Sequence, residues 1–205
     1  MHGTCAILGR YGRAASRVSL PGRGAHALML VLASSVFLAA GASAMAYESS
    51  YEPTPVGTTE IKELPATRVL ETEEPGRYFD VNNRTFMTLF RYIQNNKISM
   101  TVPVEAEMKP ARMRFFVGSA VSRELPSGKN GVTVREVPAR KVASVGIRGS
   151  YSAENFDKGV ADVRAWLAKH PEWVAAGEPY AVYWNGPFVP WFLKRSEVHI
   201  SVTGR

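Results

Sequence analysis

Between Asp80 and Asn96 the apolar residues Phe86, Leu89, Phe90 and Ile93 recur at i, i+3, i+4 and i+7, which predicts one face of an amphipathic helix. The period then changes. From Lys97 the even positions Ile98, Met100, Val102, Val104, Ala106 and Met108 are apolar, and the odd ones are polar apart from Pro103. This alternation predicts a strand with one buried face. Pro103 lacks the N–H that a central strand donates, so the strand is predicted at an edge or with a bulge there. Further strands are predicted at 61–71, 112–118, 134–144, 180–184 and 197–202. A second helix opens at Ser152, whose hydroxyl can accept a free N–H of the first turn. It carries Phe156, Val160, Val163 and Leu167 on one face and ends at His170, before Pro171.

The pattern repeats. Ile61 to Val69 (IKELPATRV) aligns with Val134 to Val142 (VREVPARKV) at an offset of 73, with Glu, Pro, Ala and Val identical. Each copy is followed by a helix and two strands. Neither half has enough helix to cover a four-stranded sheet, so the two are expected to share one core. The predicted fold class is α+β, a distorted antiparallel β-barrel built from two β-α-β-β repeats, about 59–125 and 132–205, with two flanking helices. The joint at 126–131 is rich in turn residues and contains Asn130-Gly131. Residues 47–58, with Pro53, Pro55 and Gly57, read as a linker or loosely held arm.

The front of the chain has a different character. Residues 1–44 hold Arg10, Arg13, Arg17 and Arg23 and no acid, and Ala27 to Tyr47 runs 21 residues without a charge. The small-x-small patterns at Ala42-Ser43-Ala44 and Ala44-Met45-Ala46 favour a cleaved secretory signal within residues 1–46, and hence a periplasmic or secreted protein. The rival is an uncleaved membrane anchor over residues 27–47. Without residues 1–44 the formal net charge falls from +7 to +3, since four of 25 basic residues and none of the 18 acidic ones are lost. The remaining basic residues are scattered and give no nucleic-acid-binding cluster. The single cysteine, Cys5, lies in the same segment, so the following domain has no thiolate nucleophile and no cysteine ligand.

Catalytic signatures are absent from the sequence: no Gly-x-Ser-x-Gly, no His-Glu-x-x-His and no phosphate-cradling glycine loop. No catalytic residue is assigned. Beyond His2 and His26 there are only His170 and His199. His170 is placed to satisfy carbonyls at the end of the second helix. His199 lies opposite Val198, Ile200 and Val202 and reads as a solvated or surface-paired histidine. Both are weak candidates for a metal ligand. Met100 and Met108 read as core, whereas Met87 lies beside the helix stripe, where with Phe90 and Arg91 it forms an apolar and cationic flank. The aromatic run Tyr183, Trp184, Phe188, Trp191 and Phe192 is expected to be mostly buried packing, any exposed part marking a ligand or partner site.

Phe-x-x-Leu-Phe-x-Tyr-Ile at Phe86 to Ile93, followed by Lys-Ile-x-Met-Thr-x-Pro-Val at Lys97 to Val104, resembles the SOUL haem-binding family. So does Pro187-Phe188-Val189-Pro190-Trp191-Phe192-Leu193-Lys194-Arg195-Ser196-Glu197-Val198, with Ser196 in place of the family's usual Asn. Only Gln94-Asn95-Asn96 separate helix and strand, fewer than the family's usual loop. The resemblance, over roughly Thr58 to Val202, implies the distorted barrel and a haem contact on the first helix and on the loop between the last two strands. Carried over, these positions are Met87, Phe90 and Arg91 on the helix and Trp191, Lys194 and Arg195 in the loop. Haem suits such residues, since its ring is apolar and its propionates are anionic. The function so implied is non-enzymatic binding of haem or a related tetrapyrrole, as a carrier or scavenger. The same architecture also resembles effector-binding domains of bacterial regulators, which leaves a general small-molecule sensing or protein-interaction module as the alternative. No nucleic-acid partner is expected, and a membrane only through the N-terminal segment if it is uncleaved.

Overall fold

The computed structural model describes residues 47–128, 130–186 and 188–205. The N-terminal segment read as a signal or anchor, residues 1–46, lies outside the described residues, and no described helix is long and apolar enough to cross a membrane. The fold is α+β, with two helices and a curled antiparallel sheet. In chain order the elements are β1 (Glu48–Ser49), β2 (Thr59–Leu64), β3 (Thr67–Glu74), α1 (Tyr78–Asn95), β4 (Thr101–Val102), β5 (Val104–Glu107), β6 (Ala111–Phe116), β7 (Thr133–Val137), β8 (Arg140–Arg148), α2 (Ala153–Leu167), β9 (Trp173–Ala175), β10 (Tyr180–Tyr183) and β11 (Arg195–Gly204). Strand, helix and paired strands thus recur in the predicted order. Short β9, which pairs with β11, and parallel β1–β4 are additions that the alternation did not predict.

The main sheet runs β2-β8-β11-β10-β5-β6-β3-β7. Its two ends belong to the same two chain segments. β2 pairs with β8 up to Leu64↔Arg140, and β3 resumes the pairing with β7 at Thr67↔Val137. Pro65 and Pro138 both fall in the gap between these ladders, where a missing N–H costs no bond. One bent pair of segments therefore supplies both edges, and the six inner strands must curl to join them. Pro103 acts similarly in the first half, splitting the expected single strand into β4 and β5.

Helix α1 follows the turn at Pro75-Gly76, with Gly76 at φ +106. It ends where Lys97 takes a left-handed φ of 52, so that Lys97 N–H donates to the Gln94 carbonyl (3.2 Å) and Ile98 N–H to that of Ile93 (2.9 Å). This closure satisfies the last carbonyls within three residues and explains the short connection. Its buried face is Tyr78, Val81, Thr85, Leu89, Tyr92 and Ile93. The predicted stripe is thus rotated: Leu89 and Ile93 are core, whereas Phe86 and Phe90 are half-buried and stacked at 5.8 Å on the flank. In α2 the Ser152 hydroxyl accepts from Asn155 N–H (3.3 Å), the predicted cap. Gly159 lets α2 press onto the sheet, since a Cβ there would lie 2.6 Å from Ile147 and 2.7 Å from Val198.

The helices cover one face of the sheet, that of Phe115, Ile147 and Val198. The opposite, concave face is covered by residues 47–58, the stretch read as a linker. They are packed in place: β1 pairs with β4, Gly57 N–H donates to Gly146 O (2.8 Å), and Thr54 is buried. Proline-rich composition indicated a loosely held arm and gave no sign of the short β1 strand or of the docking. Gly146 is what admits the arm, because a Cβ there would meet the Pro55 carbonyl oxygen at 2.4 Å and that of Thr54 at 2.5 Å. Gly146→Ala is therefore expected to dislodge the arm and speed chymotryptic cleavage after Tyr51. Unchanged cleavage kinetics would show that the arm is held independently of this contact.

Candidate functional site

Three surfaces and one sealed interior compete for attention. On α1, Met87 is 39% exposed, Arg91 is exposed and Phe90 is half-buried. Together they form an open helix face rather than an enclosed cleft.

The second surface is the loop from Trp184 to Lys194. Its neck is tied by Trp184 N–H to Arg195 O (3.1 Å) and Arg195 N–H to Asn185 Oδ1 (2.6 Å). The Tyr151 hydroxyl accepts from Asn185 N–H (2.9 Å) and lies within donating distance of the Asn185 and Arg195 carbonyls. Burial pushes this phenol up to about 12, against the weaker opposing effect of its backbone hydrogen bonds, so it stays protonated at neutral pH. Beyond the neck, Trp191–Leu193 form a 3-10 turn. Phe188, Trp191 and Phe192 are exposed, contrary to the expectation of mostly buried packing; only Tyr183 of the run is buried. Lys194 is half-buried, its ammonium 4.9 Å from the Tyr151 ring centre, and Arg195 is exposed. Among the described residues, no ion pair or aromatic pair joins Met87, Phe90 or Arg91 to Trp191, Lys194 or Arg195.

The third surface was not anticipated. A groove of about 560 Å³ lies between α2 and the β2–β8 edge, lined among others by Ile147, Arg148, Lys158, Asp162, Trp166 and Lys169. Lys158, Asp162 and Trp166 recur along one side of α2 and Lys169 follows its end; Arg148, Lys158 and Lys169 form no ion pair among the described residues. His170, beside it in sequence, stacks on Trp166 at 3.6 Å and sets Nδ1 2.8 Å from the Trp166 carbonyl. It thus serves the helix end as predicted.

The interior corrects the reading of His199. The alternation along β11 is real, but its polar side faces the concave interior, and His199 is fully buried. Its Nε2 lies 2.6 Å from Glu197 Oε2 and its Nδ1 3.3 Å from the Tyr180 hydroxyl. Glu197 also accepts from Thr54 N–H (2.7 Å), Trp184 Nε1 (2.7 Å), Ser144 Oγ (2.8 Å), Lys62 Nζ (3.2 Å) and Thr54 Oγ1 (3.2 Å). Across the sheet, Glu71 binds Arg114 and Arg135 (2.7 Å each), Glu105 binds Arg140 (2.5 Å) and Glu107 binds Arg112 and Arg114. With both ring nitrogens engaged and no exposed surface, His199 is unavailable as a ligand to an external metal. Among the described residues no cluster of three or more His, Cys, Asp or Glu is arranged to hold a metal ion.

The fold and its surfaces define the class first: an α+β domain with a curled antiparallel sheet, an arm-sealed charged interior and aromatic, cationic outer surfaces. A sequence model of the SOUL heme-binding protein family matches residues 45–201. The chain belongs to that family. No curated protein matches it. Among solved structures, it is similar to the EcmrR C-terminal domain (13% identity, TM-score 0.56, covering 72% of this chain and 98% of that one). It is also similar to EcmrR in a cryo-EM EcmrR–DNA complex (12%, TM-score 0.58, 72% and 58%). A crystal structure of a hydrolase from Listeria innocua is a third (10%, TM-score 0.51, 75% and 94%). The matched region spans 58% of the EcmrR chain in that complex. At these identities the likeness is one of fold.

Burial alone would raise the Glu197 carboxyl, but the hydrogen bond and charge of His199, the charge of Lys62 and the Ser144 hydroxyl outweigh it and hold the carboxyl at about 2, against an ordinary 4.5. A depressed carboxyl stabilises the fold above its ordinary value, and that contribution, on the order of 3 kcal/mol, is lost as pH falls from about 4.5 toward 2. Glu197→Gln should cost roughly 3–5 kcal/mol at pH 7 by leaving buried donors unpaired. Urea midpoints should show the gap to the wild type narrowing by pH 3; a gap constant with pH would contradict a charged Glu197.

Proposed function

We propose that this protein binds haem or a related tetrapyrrole reversibly and without catalysis, as a carrier or scavenger. The observation that carries the reading is the pairing of exposed or half-buried apolar side chains with unpaired cations at the positions the family resemblance marks: Met87 and the half-buried Phe90 beside Arg91, and Trp191 beside Lys194 and Arg195. The apolar groups suit a porphyrin face and the cations its two propionates. Family membership over residues 45–201 supports the ligand class. The enclosure of His199 favours holding the ring by apolar contact and propionate pairing over coordination by that residue. We further read the fold as a barrel-like sheet made by duplication of one β-α-β-β unit, in which Pro65 and Pro138 are equivalent positions.

Titration with haemin should shift the Soret band and saturate near one equivalent. Arg91→Glu combined with Lys194→Glu should weaken binding about tenfold or more, which is about 1.4 kcal/mol, with an unchanged melting temperature. No spectral shift would overturn the ligand, and unchanged affinity in the double variant would overturn the propionate assignment. The alternative reading, a small-molecule binding module, is favoured by the α2 groove and its three unpaired cations. If Lys158→Glu with Lys169→Glu weakens haemin binding and the first pair does not, the seat is on α2.

Residues 1–46 we propose to direct export, with cleavage after Ala44 or Ala46, and Tyr47–Ser50 leading directly into the arm. N-terminal sequencing of the protein from an expressing host should read from Met45 or Tyr47. An intact N-terminus in a membrane fraction would favour the anchor over residues 27–47.

A further inference from the structure

The loop between β10 and β11 presents its largest apolar side chains to water: Phe188 is 98% exposed, Trp191 66%, Phe192 54% and Leu193 47%. Four such residues within six positions form a contiguous apolar tip, and such tips on soluble domains mark contact surfaces. The tip stands on a fixed base. The Tyr151 and Asn185 hydrogen bonds close the neck, Gly149 N–H donates to Lys194 O (3.0 Å), and Leu193 N–H donates to Pro190 O (2.9 Å).

The base is cationic. Arg195 sits directly opposite Arg148 in the β8–β11 ladder, with Lys194 next in sequence. Like charges directly opposite across a ladder repel. No acidic residue lies between Asn185 and Ser196, or from Ile147 to Ser152, to neutralise them. None of the three cations forms an ion pair among the described residues. The collar continues through Arg148 into the α2 groove, whose lining adds Lys158 and Lys169 against one carboxylate, Asp162.

From this juxtaposition of an apolar aromatic tip on a tied neck with an acid-free collar of Arg148, Lys194 and Arg195, we infer that the loop docks onto an anionic phospholipid bilayer. The tip inserts at the level of the headgroups and the collar meets their phosphates. Tryptophan and phenylalanine settle in that interfacial zone, and each basic residue near an anionic surface adds to the attraction. Trp191, Lys194 and Arg195 are shared with the proposed tetrapyrrole contacts, but Phe188, Phe192 and Leu193, which supply the rest of the apolar tip, are not. The inference therefore stands whether or not haem is the ligand.

The test uses the full chain with vesicles of phosphatidylglycerol carrying bromine on the acyl chains, read by tryptophan fluorescence. Bromine quenches only tryptophan that reaches the lipid. The wild type should be quenched with a blue-shifted emission, and Trp191→Phe should remove most of that quenching, which keeps membrane binding by residues 1–46 from counting as loop insertion. The triple variant Phe188→Ser, Phe192→Ser, Leu193→Ser should need roughly tenfold more lipid or more for the same Trp191 quenching, with haemin titration unchanged. Arg148→Glu, 0.5 M salt (about five times the ionic strength at which the screening length is 10 Å) or phosphatidylcholine alone should each weaken it. Absence of Trp191 quenching on phosphatidylglycerol, or equal quenching in the triple variant, overturns the inference. Lipid-free self-association abolished by the triple variant would overturn it in favour of a contact between two copies.

Discussion

The buried carboxylate of Glu197 is the contact on which the rest of the fold converges. Taking a carboxylate out of water costs several kcal/mol unless charge and hydrogen bonds replace its hydration. Six donors do so here, and they come from five places in the chain: Thr54 of the arm, Lys62 of β2, Ser144 of β8, Trp184 after β10 and His199 of β11. Two of the six belong to Thr54. The arm is therefore part of what makes Glu197 tolerable inside the protein, and Glu197 is in turn what fixes the arm on the concave face.

The same reasoning extends to the other charges of that face. Glu71, Glu105 and Glu107 pair with Arg112 and Arg114 on the neighbouring strand β6, and Glu105 also reaches Arg140 on β8, two strands beyond its neighbour, so each of these carboxylates has an opposite charge within reach. Such a network contributes little net stability compared with apolar packing, but it is demanding about register. A slip of one residue between β5 and β6 would turn Arg112 and Arg114 toward the helices and bring Met113 and Phe115 among the carboxylates. Curvature supplies the setting. Because the bent segments around Pro65 and Pro138 provide both ends of the sheet, the inner side chains are gathered into a space narrow enough for the arm to close.

The offset-73 repeat made those two prolines equivalent in the sequence, but the strands predicted at 61–71 and 134–144 ran through them, whereas each is split there into two, β2 and β3 or β7 and β8, because a proline has no N–H to give to the ladder. Helix spans, the Ser152 cap and the order of strands were legible because each rests on local periodicity or on a residue with one dominant conformational effect. The inner face was not. Alternation separates two sides of a strand without saying which side meets water, so Glu197 and His199 read as solvated. The rotated stripe of α1 has a similar cause. Thr85 and Tyr92 look polar, yet each satisfies its hydroxyl on a nearby carbonyl, Asn82 O (2.9 Å) and Pro126 O (2.6 Å), and so can face the core. The exposed tip of the β10–β11 loop ran against the tendency of aromatics to be buried, because Asn185 and Arg195 close the neck and leave the nine residues between them with no core to enter.

The division between the two faces bears on where a ligand can go. On the concave side nearly every carboxylate and cation is matched, and the arm covers Glu197 and His199, which are buried. Only the Tyr51 hydroxyl and Arg140 Nη1 are buried without a partner among the described residues. On the outer side several cations form no ion pair among the described residues: Arg91 on α1, Lys158 on α2 and Lys169 just past its end, and Arg148, Lys194 and Arg195 at the loop neck, although Arg84 and Lys141 do pair. An anionic guest would therefore be drawn to the outer surfaces without displacing any existing pair, whereas entry to the interior would require breaking the contacts of Thr54 first. Arg148 belongs to both the α2 groove and the loop collar. A ligand anion in the groove and a lipid phosphate at the collar would compete for it, so occupancy of one would weaken the other by a shared, countable charge.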